Sequence, residues 1–413
     1  MNAQAAFCYP NFRDYMMARF LAALCSEMQA LAVAWQVYGI TRRPVDLGLV
    51  GLAQFLPAVP LFLVAGDTAD RVPRQRILQA TFASFALCST LLLAFTLHGL
   101  RSVYPIYAVL LLNGVIRAFS NPAAQAFLPL LVPEADFPNA VAWSSSIFQA
   151  AIIGGPMLGG VLYGITGQPA PVYAAAALGM LSALVLVSVL RVPLGQRSRG
   201  TASLEAVLGG LRYIWRNKLL LGAISLDMFA VLLGGAVALL PVYAKEILNV
   251  GAFGLGLLRS APGAGAVLMA ILVAYRPLRR RAGATMLWCV CGFGVFTIVF
   301  GFSRNMALAL GSLLLVGACD MVSVIVRHTL IQLGTPDEMR GRVSAVNTIF
   351  IGTSNEVGQF ESGITAQWMG TVPAVVAGGI GTIGIVALWA CLFPALREVN
   401  ELAVVSVQDS IRA

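Results

Sequence analysis

Charge is the property this chain has least of. Only 11% of its 413 residues are charged while 59% are hydrophobic, and its mean hydropathy is +0.83. Soluble domains carry about 25% charged residues, so most of this surface must face lipid. Histidine is scarce as well: His98 and His328 are the only two. The seven cysteines set up no disulfide framework, and the close pair Cys289 and Cys291 lies in an apolar run with no histidine nearby. No metal site and no cofactor are expected from that pattern. The chain has no Gly-x-x-x-x-Gly-Lys-Ser/Thr loop, so a driving force is expected from an ion gradient and not from nucleotide hydrolysis. It also lacks a nucleophile motif and a polar stretch long enough for a soluble effector domain. A membrane enzyme and a non-transporting sensor or scaffold are therefore remote readings. The net charge of +9 does not imply nucleic acid, because the basic residues fall in separated short loops. They read as topology determinants in contact with membrane lipids.

What the chain has in abundance is apolar runs of about 20 residues, each long enough to cross a bilayer. They occupy 12–38, 46–65, 76–99, 103–128, 138–166 and 171–190, then 218–243, 252–275, 283–302, 306–334, 342–369 and 372–394. The first contains Arg19 and Glu27, so it reads as a span and not as a cleaved leader. The pattern predicts an all-α integral membrane protein of twelve transmembrane helices in two six-helix bundles, residues 1–190 and 218–413. The linker between them, 191–217, ends in an amphipathic run from Leu204 to Trp215 that is expected to lie on the inner membrane face.

An even number of spans puts both termini on one side, and charge says which. With the amino terminus inside, eighteen Lys and Arg fall in inner loops and tails, at Arg13, 71–76, 191–218, 276–281, Arg340, Arg342, Arg397 and Arg412. Five fall outside (Arg42, Arg43, Arg101, Lys245 and Arg304), and Arg19, Arg117, Arg259 and Arg327 lie within spans. That asymmetry predicts a multi-pass inner-membrane protein with cytoplasmic termini.

The halves repeat. A spacing of 205 matches Val37-Tyr38 with Val242-Tyr243, Gly51 with Gly256, Pro57 with Pro262 and Arg71 with Arg276. A spacing of 203 matches Gly114 with Gly317, Pro133-Glu134 with Pro336-Asp337 and Gly167 with Gly370. Internal symmetry of this kind marks transporter folds built from repeats.

Ionisable groups inside a bilayer are costly, so each is a functional candidate by default. The first span carries Glu27, Gln29 and Gln36; the fourth carries Asn113, Arg117 and Asn121 on one helical face. Asp227 lies in the seventh span, Arg259 in the eighth, and Asp320, Arg327 and His328 in the tenth. The eleventh holds Asn347, Ser354, Asn355, Glu356 and Glu361. The competing reading is that such groups only lock helices together.

Between the second and third spans the segment Gly66-Asp-Thr-Ala-Asp-Arg-Val-Pro-Arg-Gln-Arg76 reads as a loop too short to fold alone. Its pattern Gly66-x-x-Ala69-Asp70-Arg71-x-x-Arg74 resembles the signature loop of major facilitator superfamily transporters, with Pro73 where that family has glycine. Gly154-Gly155-Pro156-Met157-Leu158-Gly159-Gly160 resembles the fifth-helix motif of exporters and antiporters, with Ala151 in place of an upstream glycine. Arg117 with Ala123-Ala124 is similar to the helix-4 motif, and Arg340 to Asn347 with Gly352 to Gly363, Trp35 to Tyr38 and Leu47 to Leu52 resemble the enterobactin-exporter-like branch.

The resemblance implies a proton-coupled secondary exporter of an amphipathic small molecule, siderophore- or drug-like, working as a monomer by alternating access. Lysophospholipid flipping or uptake on the same fold is the alternative. It places the first, fourth, seventh and tenth helices around the substrate cavity. Cavity candidates are Gln29, Gln36, Asn113, Arg117, Asn121, Arg327, His328, Asn355, Glu356 and Glu361. Gly66, Asp70, Arg71, Arg74, Gly155, Pro156, Arg340 and Arg342 are expected to gate it, Asp70 by clamping near the Arg340–Arg342 helix start. For proton coupling Glu27 ranks first because no same-helix arginine lies a turn away. Asp320 follows, since Arg327 is placed to pair with it, and Asp227 completes the set. The topology has a direct check: a single cysteine at Ser198, in a variant without the native cysteines, should resist a membrane-impermeant thiol reagent in intact cells and react after lysis. Labelling in intact cells would reverse the orientation.

Overall fold

A computed structural model describes residues 5–190, 204–276 and 281–399. The first part of the expected linker, 191–203, lies outside these residues, as do the side chains of Asp67 and Asp70. Every described element is helical. In chain order the helices are α1 (Pro10–Thr41), α2 (Pro44–Phe55), α3 (Ala58–Arg71), α4 (Arg74–Leu97), α5 (Tyr104–Phe127), α6 (Phe137–Thr166), α7 (Ala170–Val189) and α8 (Leu204–Arg216). They continue with α9 (Lys218–Leu233), α10 (Leu240–Val242), α11 (Gly251–Tyr275), α12 (Ala282–Phe302), α13 (Met306–Leu333), α14 (Asp337–Met369), α15 (Thr371–Leu392) and α16 (Pro394–Glu398).

Among the described residues nine helices are long and apolar enough to cross a membrane. The helices that fall short do so for local reasons. The expected span 46–65 is broken into α2 and α3 at Leu56 and Pro57, because proline has no N–H to return to the preceding turn. Asn113, Arg117 and Asn121 make α5 polar, and Arg340, Arg342, Glu356 and Glu361 do the same for α14.

Two other expectations are corrected. The segment 66–76 is not a loop: α3 runs on to Arg71, α4 begins at Arg74, and only Val72 and Pro73 lie between. Pro73 forces this, since the residue before a proline is driven out of the helical region, and Val72 sits at φ −98, ψ 141. The seventh span is not continuous either. It stops at Leu233, passes Gly234-Gly235, and resumes as a 3₁₀ turn (Ala236–Leu239), α10 and a π turn (Tyr243–Ile247). Adjacent glycines weaken a helix, and a Cβ on Gly235 would lie 3.1 Å from the Gly358 carbonyl of α14.

The chain forms two compact units. The first contains Met1–Arg42, Ala53–Ala202 and Val250–Ser260, and the second Arg43–Leu52, Ser203–Asn249 and Ala261–Ala413. In the first, α1 packs along α6 and α7, and α4 along α5 and α7, around Phe12, Tyr15, Met16, Leu78, Phe82 and Phe127. Helix ends are tied by side chains: Arg74 donates to the Ala126 carbonyl at 2.8 Å, and Gln75 to Val187 and Leu190 at 2.9 Å. Before α1, Tyr9 donates to Asp136 at 2.9 Å, and that hydrogen bond raises the phenol's pKa above its ordinary value.

In the second unit α12 packs along α13 and α15, and α9 along α14 and α15, with Leu220, Met286, Leu330, Val343 and Trp389 in the core. Asn217 caps α9 by accepting from the Leu219 and Leu220 N–H groups at 3.1 and 3.2 Å. The Trp389 indole donates to Ser225 at 3.0 Å.

Repeat-related residues do the same jobs in each unit. A Cβ on Gly114 would lie 3.1 Å from the Pro57 ring, and one on Gly317 would meet Pro262 backbone, 2.6 Å from its Cα. Gly167 and Gly370 end α6 and α14 at φ +69 and +92, values that favour glycine. Close packing of this kind is testable. A Cβ on Gly294 would come 2.8 Å from the Gly379 carbonyl, whereas one on Gly311 meets nothing within 4 Å. Gly294→Val should lower the thermal midpoint in detergent by the several degrees that overpacking of about 1–3 kcal/mol implies, and Gly311→Val should leave it unchanged.

Candidate functional site

The most buried charges lie in the second unit, where α13 faces α9. Arg327 and Asp227, 2% and 5% exposed, form an ion pair. Asp320 and Ser323 precede Arg327 by seven and four residues and so share its helical face. Together with Asp227, Ala230, Val231, Val290 and Phe293 they line a cavity of about 10 Å³, the room one water needs. The Ser323 hydroxyl and Arg327 Nε have no hydrogen-bond partner there among the described residues. The expectation that Arg327 would hold Asp320 is thus corrected: its anion is Asp227, one helix away. His328, on the next position, is exposed and points off this face.

In the first unit Glu27 lies 3.8 Å from Arg259 of α11. The two side chains are 32% and 25% exposed, so the pair is worth little, on the order of 1 kcal/mol or less. The absence of a same-helix arginine was the ground for ranking Glu27 first, and a distant helix supplies one. Gly155 makes the approach possible, since a Cβ there would lie 2.5 Å from Glu27 Cβ and 2.8 Å from the Leu24 carbonyl. Pro156 presents its carbonyl to Gly256 of α11, 2.6 Å from where a Cβ would be, and Ser260 donates to the Ile153 carbonyl at 2.6 Å.

Other candidates are engaged in helix packing. Gln29 accepts from Ser89 at 2.6 Å, and Gln36 bridges Thr96 at 3.1 Å and the Tyr173 hydroxyl at 2.7 Å. Gln29 therefore joins α1 to α4, and Gln36 joins α1 to α4 and α7. Arg117 is exposed and donates to Gln54 at 3.4 Å; Asn121 is exposed, and Asn113 is buried with an Oδ1 that accepts nothing among the described residues. On α14, Asn355 turns back to the Ile351 carbonyl at 2.8 Å and Glu361 accepts from Thr365 at 2.7 Å. Glu356 lies against Gly51, 3.0 Å from where its Cβ would be.

Of the gating candidates, Gly66 is part of α3, Arg71 is exposed, and Arg74 is committed to the end of α5. Arg340 is half-buried and Arg342 exposed, its Nη1 3.8 Å from Met339 sulfur. Asp70's side chain lies outside the described ones. Sequence reasoning placed Arg259 inside a span but left it out of the site; only its three-dimensional position beside Glu27 reveals it. Among the described residues no group of three or more His, Cys, Asp or Glu could hold a metal.

Against known proteins, the family model described as transmembrane secretion effector matches residues 1–410. The enterobactin exporter EntS of Shigella dysenteriae serotype 1 (strain Sd197) is 25% identical over 408 residues, 97% of this chain and 96% of the relative. That of Citrobacter koseri is 26% identical over 409 residues with the same coverage. Among solved structures, a bacterial homologue of the human lysosomal transporter Spinster superposes with a TM-score of 0.72 at 13% identity, over 94% of this chain and 98% of that one. A POT family transporter in complex with 5-aminolevulinic acid gives 0.73 at 10% identity, over 94% and 97%. A bacterial homologue of the iron transporter ferroportin gives 0.67 at 15%, over 94% and 98%. These structures share the fold. The chain belongs to the transmembrane secretion effector family of the major facilitator superfamily, and is a multi-pass inner-membrane transporter and not an enzyme.

Proposed function

We propose that this chain is a proton-coupled exporter of an amphipathic small molecule, siderophore- or drug-like, working by alternating access. In this reading α2 with α3, α5 and α14 also cross the membrane, giving twelve spans. The spans form two six-helix bundles, 1–190 and 218–413, with cytoplasmic termini and a cytoplasmic linker. The relatives named as enterobactin exporters make a siderophore the first substrate to test.

The observation that carries the reading is Asp320. It is a carboxylic acid on a spanning helix, in a cavity it shares with Asp227 and Ser323 among otherwise apolar side chains, and the cation on its own face is committed to Asp227. Coupling needs a carboxyl whose protonation and substrate binding disfavour each other. An acid with no fixed cation is suited to that, whereas Asp227 is held by Arg327 throughout. Asp320 therefore ranks above Glu27, with Asp227 last.

The test is substrate transport in proteoliposomes driven by an imposed pH gradient. Asp320→Asn should abolish gradient-driven transport and keep substrate exchange at zero gradient. Glu27→Gln should slow transport by roughly twofold to fivefold, the worth of a half-exposed pair. Full gradient-driven transport in Asp320→Asn, or wild-type transport that ignores the gradient, overturns the assignment. The buried pair has its own check. Asp227→Asn should destabilise the protein by about 3–5 kcal/mol by stranding Arg327, and adding Arg327→Met should recover most of that loss in a thermal melt.

A further inference from the structure

Helix α8 has two faces of different character. Gly210 and Ile214 are buried, and a Cβ on Gly210 would lie 2.7 Å from the Arg342 carbonyl of α14. The Tyr213 hydroxyl donates at 3.1 Å to the Gly334 carbonyl, where α13 ends. The other face carries Leu208, Arg212, Trp215 and Arg216, all exposed, at the i, i+4, i+7 and i+8 positions of one stripe. Leu208 is 48% and Trp215 70% exposed. After the single residue Asn217, α9 begins at Lys218.

Three helices thus terminate around α8, two of them long and apolar enough to span: α9 starts beside it, α13 ends under Tyr213, and α14 starts within two turns of Arg342. Span ends mark the bilayer surface, so α8 lies there. At that depth a stripe mixing indole, leucine and guanidinium is matched on both counts. Apolar groups enter the acyl boundary while cations stay level with phosphate.

We infer that α8 is a binding site for acidic phospholipid headgroups, seated by Leu208 and Trp215 and holding phosphate through Arg212, Arg216 and Lys218. Zwitterionic lipid offers the same apolar depth but no net negative charge, so it binds more weakly. The inner face of α8 passes occupancy on to α13 and α14, and acidic lipid should stabilise the second unit. The site is independent of the cargo and of the coupling ion.

The experiment uses the full chain in nanodiscs of phosphatidylcholine with or without phosphatidylglycerol. Trp215 fluorescence is isolated as the difference between wild type and Trp215→Phe, with brominated lipid as quencher. Brominated phosphatidylglycerol should quench that difference signal. In detergent, added phosphatidylglycerol should raise the thermal midpoint of the wild type. Arg212→Gln/Arg216→Gln should weaken the preference for phosphatidylglycerol by on the order of fivefold per arginine, while Arg212→Lys/Arg216→Lys keeps it. An unquenched difference signal, a double glutamine variant with undiminished preference, or an equal rise with inorganic phosphate alone each overturns the proposal.

Discussion

A guanidinium surrounded by helices that face hydrocarbon must find its counter-charge inside the protein, and Arg327 is that group. Its pairing with Asp227 joins α13 to α9 deep inside the second unit, and much of the polar interior there follows from it. Breaking such a pair strands a charge, so the pair fixes two helices and removes one acid from the roles otherwise open to it. The same need for an internal partner governs the smaller polar groups. Thr90, Thr166, Ser182 and Ser188 each donate to the carbonyl four residues back, at 2.7 to 2.9 Å, which satisfies a hydroxyl within its own helix.

Where polar groups are few, close backbone contact has to supply much of the packing. The repeat makes this visible. Gly160 of α6 lies against Gly256 of α11, its Cβ position 2.9 Å from that Cα. Gly363, 203 residues after Gly160, lies against Gly48 of α2 at 3.1 Å by the same measure. Gly48 in turn is one turn before Gly51, the repeat mate of Gly256. Each copy thus sets a glycine against a glycine, with the second contact displaced by one helical turn.

Much of this was legible in the sequence, for a physical reason. Long apolar runs between basic segments leave little choice of helix ends, and most ends fall within a few residues of expectation: 76–99 against Arg74–Leu97, and 306–334 against Met306–Leu333. The failures come from local backbone rules competing with hydropathy. Pro57 and Gly234-Gly235 interrupt runs that are predominantly apolar, and Pro73 alone sets the turn that hydropathy widened to eleven residues. In the candidate site, the seven-residue spacing that puts Asp320 and Arg327 on one helical face was legible. Their partners were not, because Arg259 and Glu27 stand 232 positions apart, and no periodicity within one helix reports that.

The two ion pairs also differ in what they permit. Asp227 and Arg327 have side chains 7% and 3% exposed, so separating them leaves charge in a low-dielectric interior with nothing to replace the partner. Glu27 and Arg259 stand 3.8 Å apart with about a third and a quarter of each side chain exposed. Solvent screens them and can take over when they part, so little is lost on separation. A transport cycle needs groups that change partner or proton at modest cost. On that criterion we propose the buried pair as scaffold and look for the working acids at Asp320, which has no ion pair among the described residues, and at Glu27, whose pair is loose.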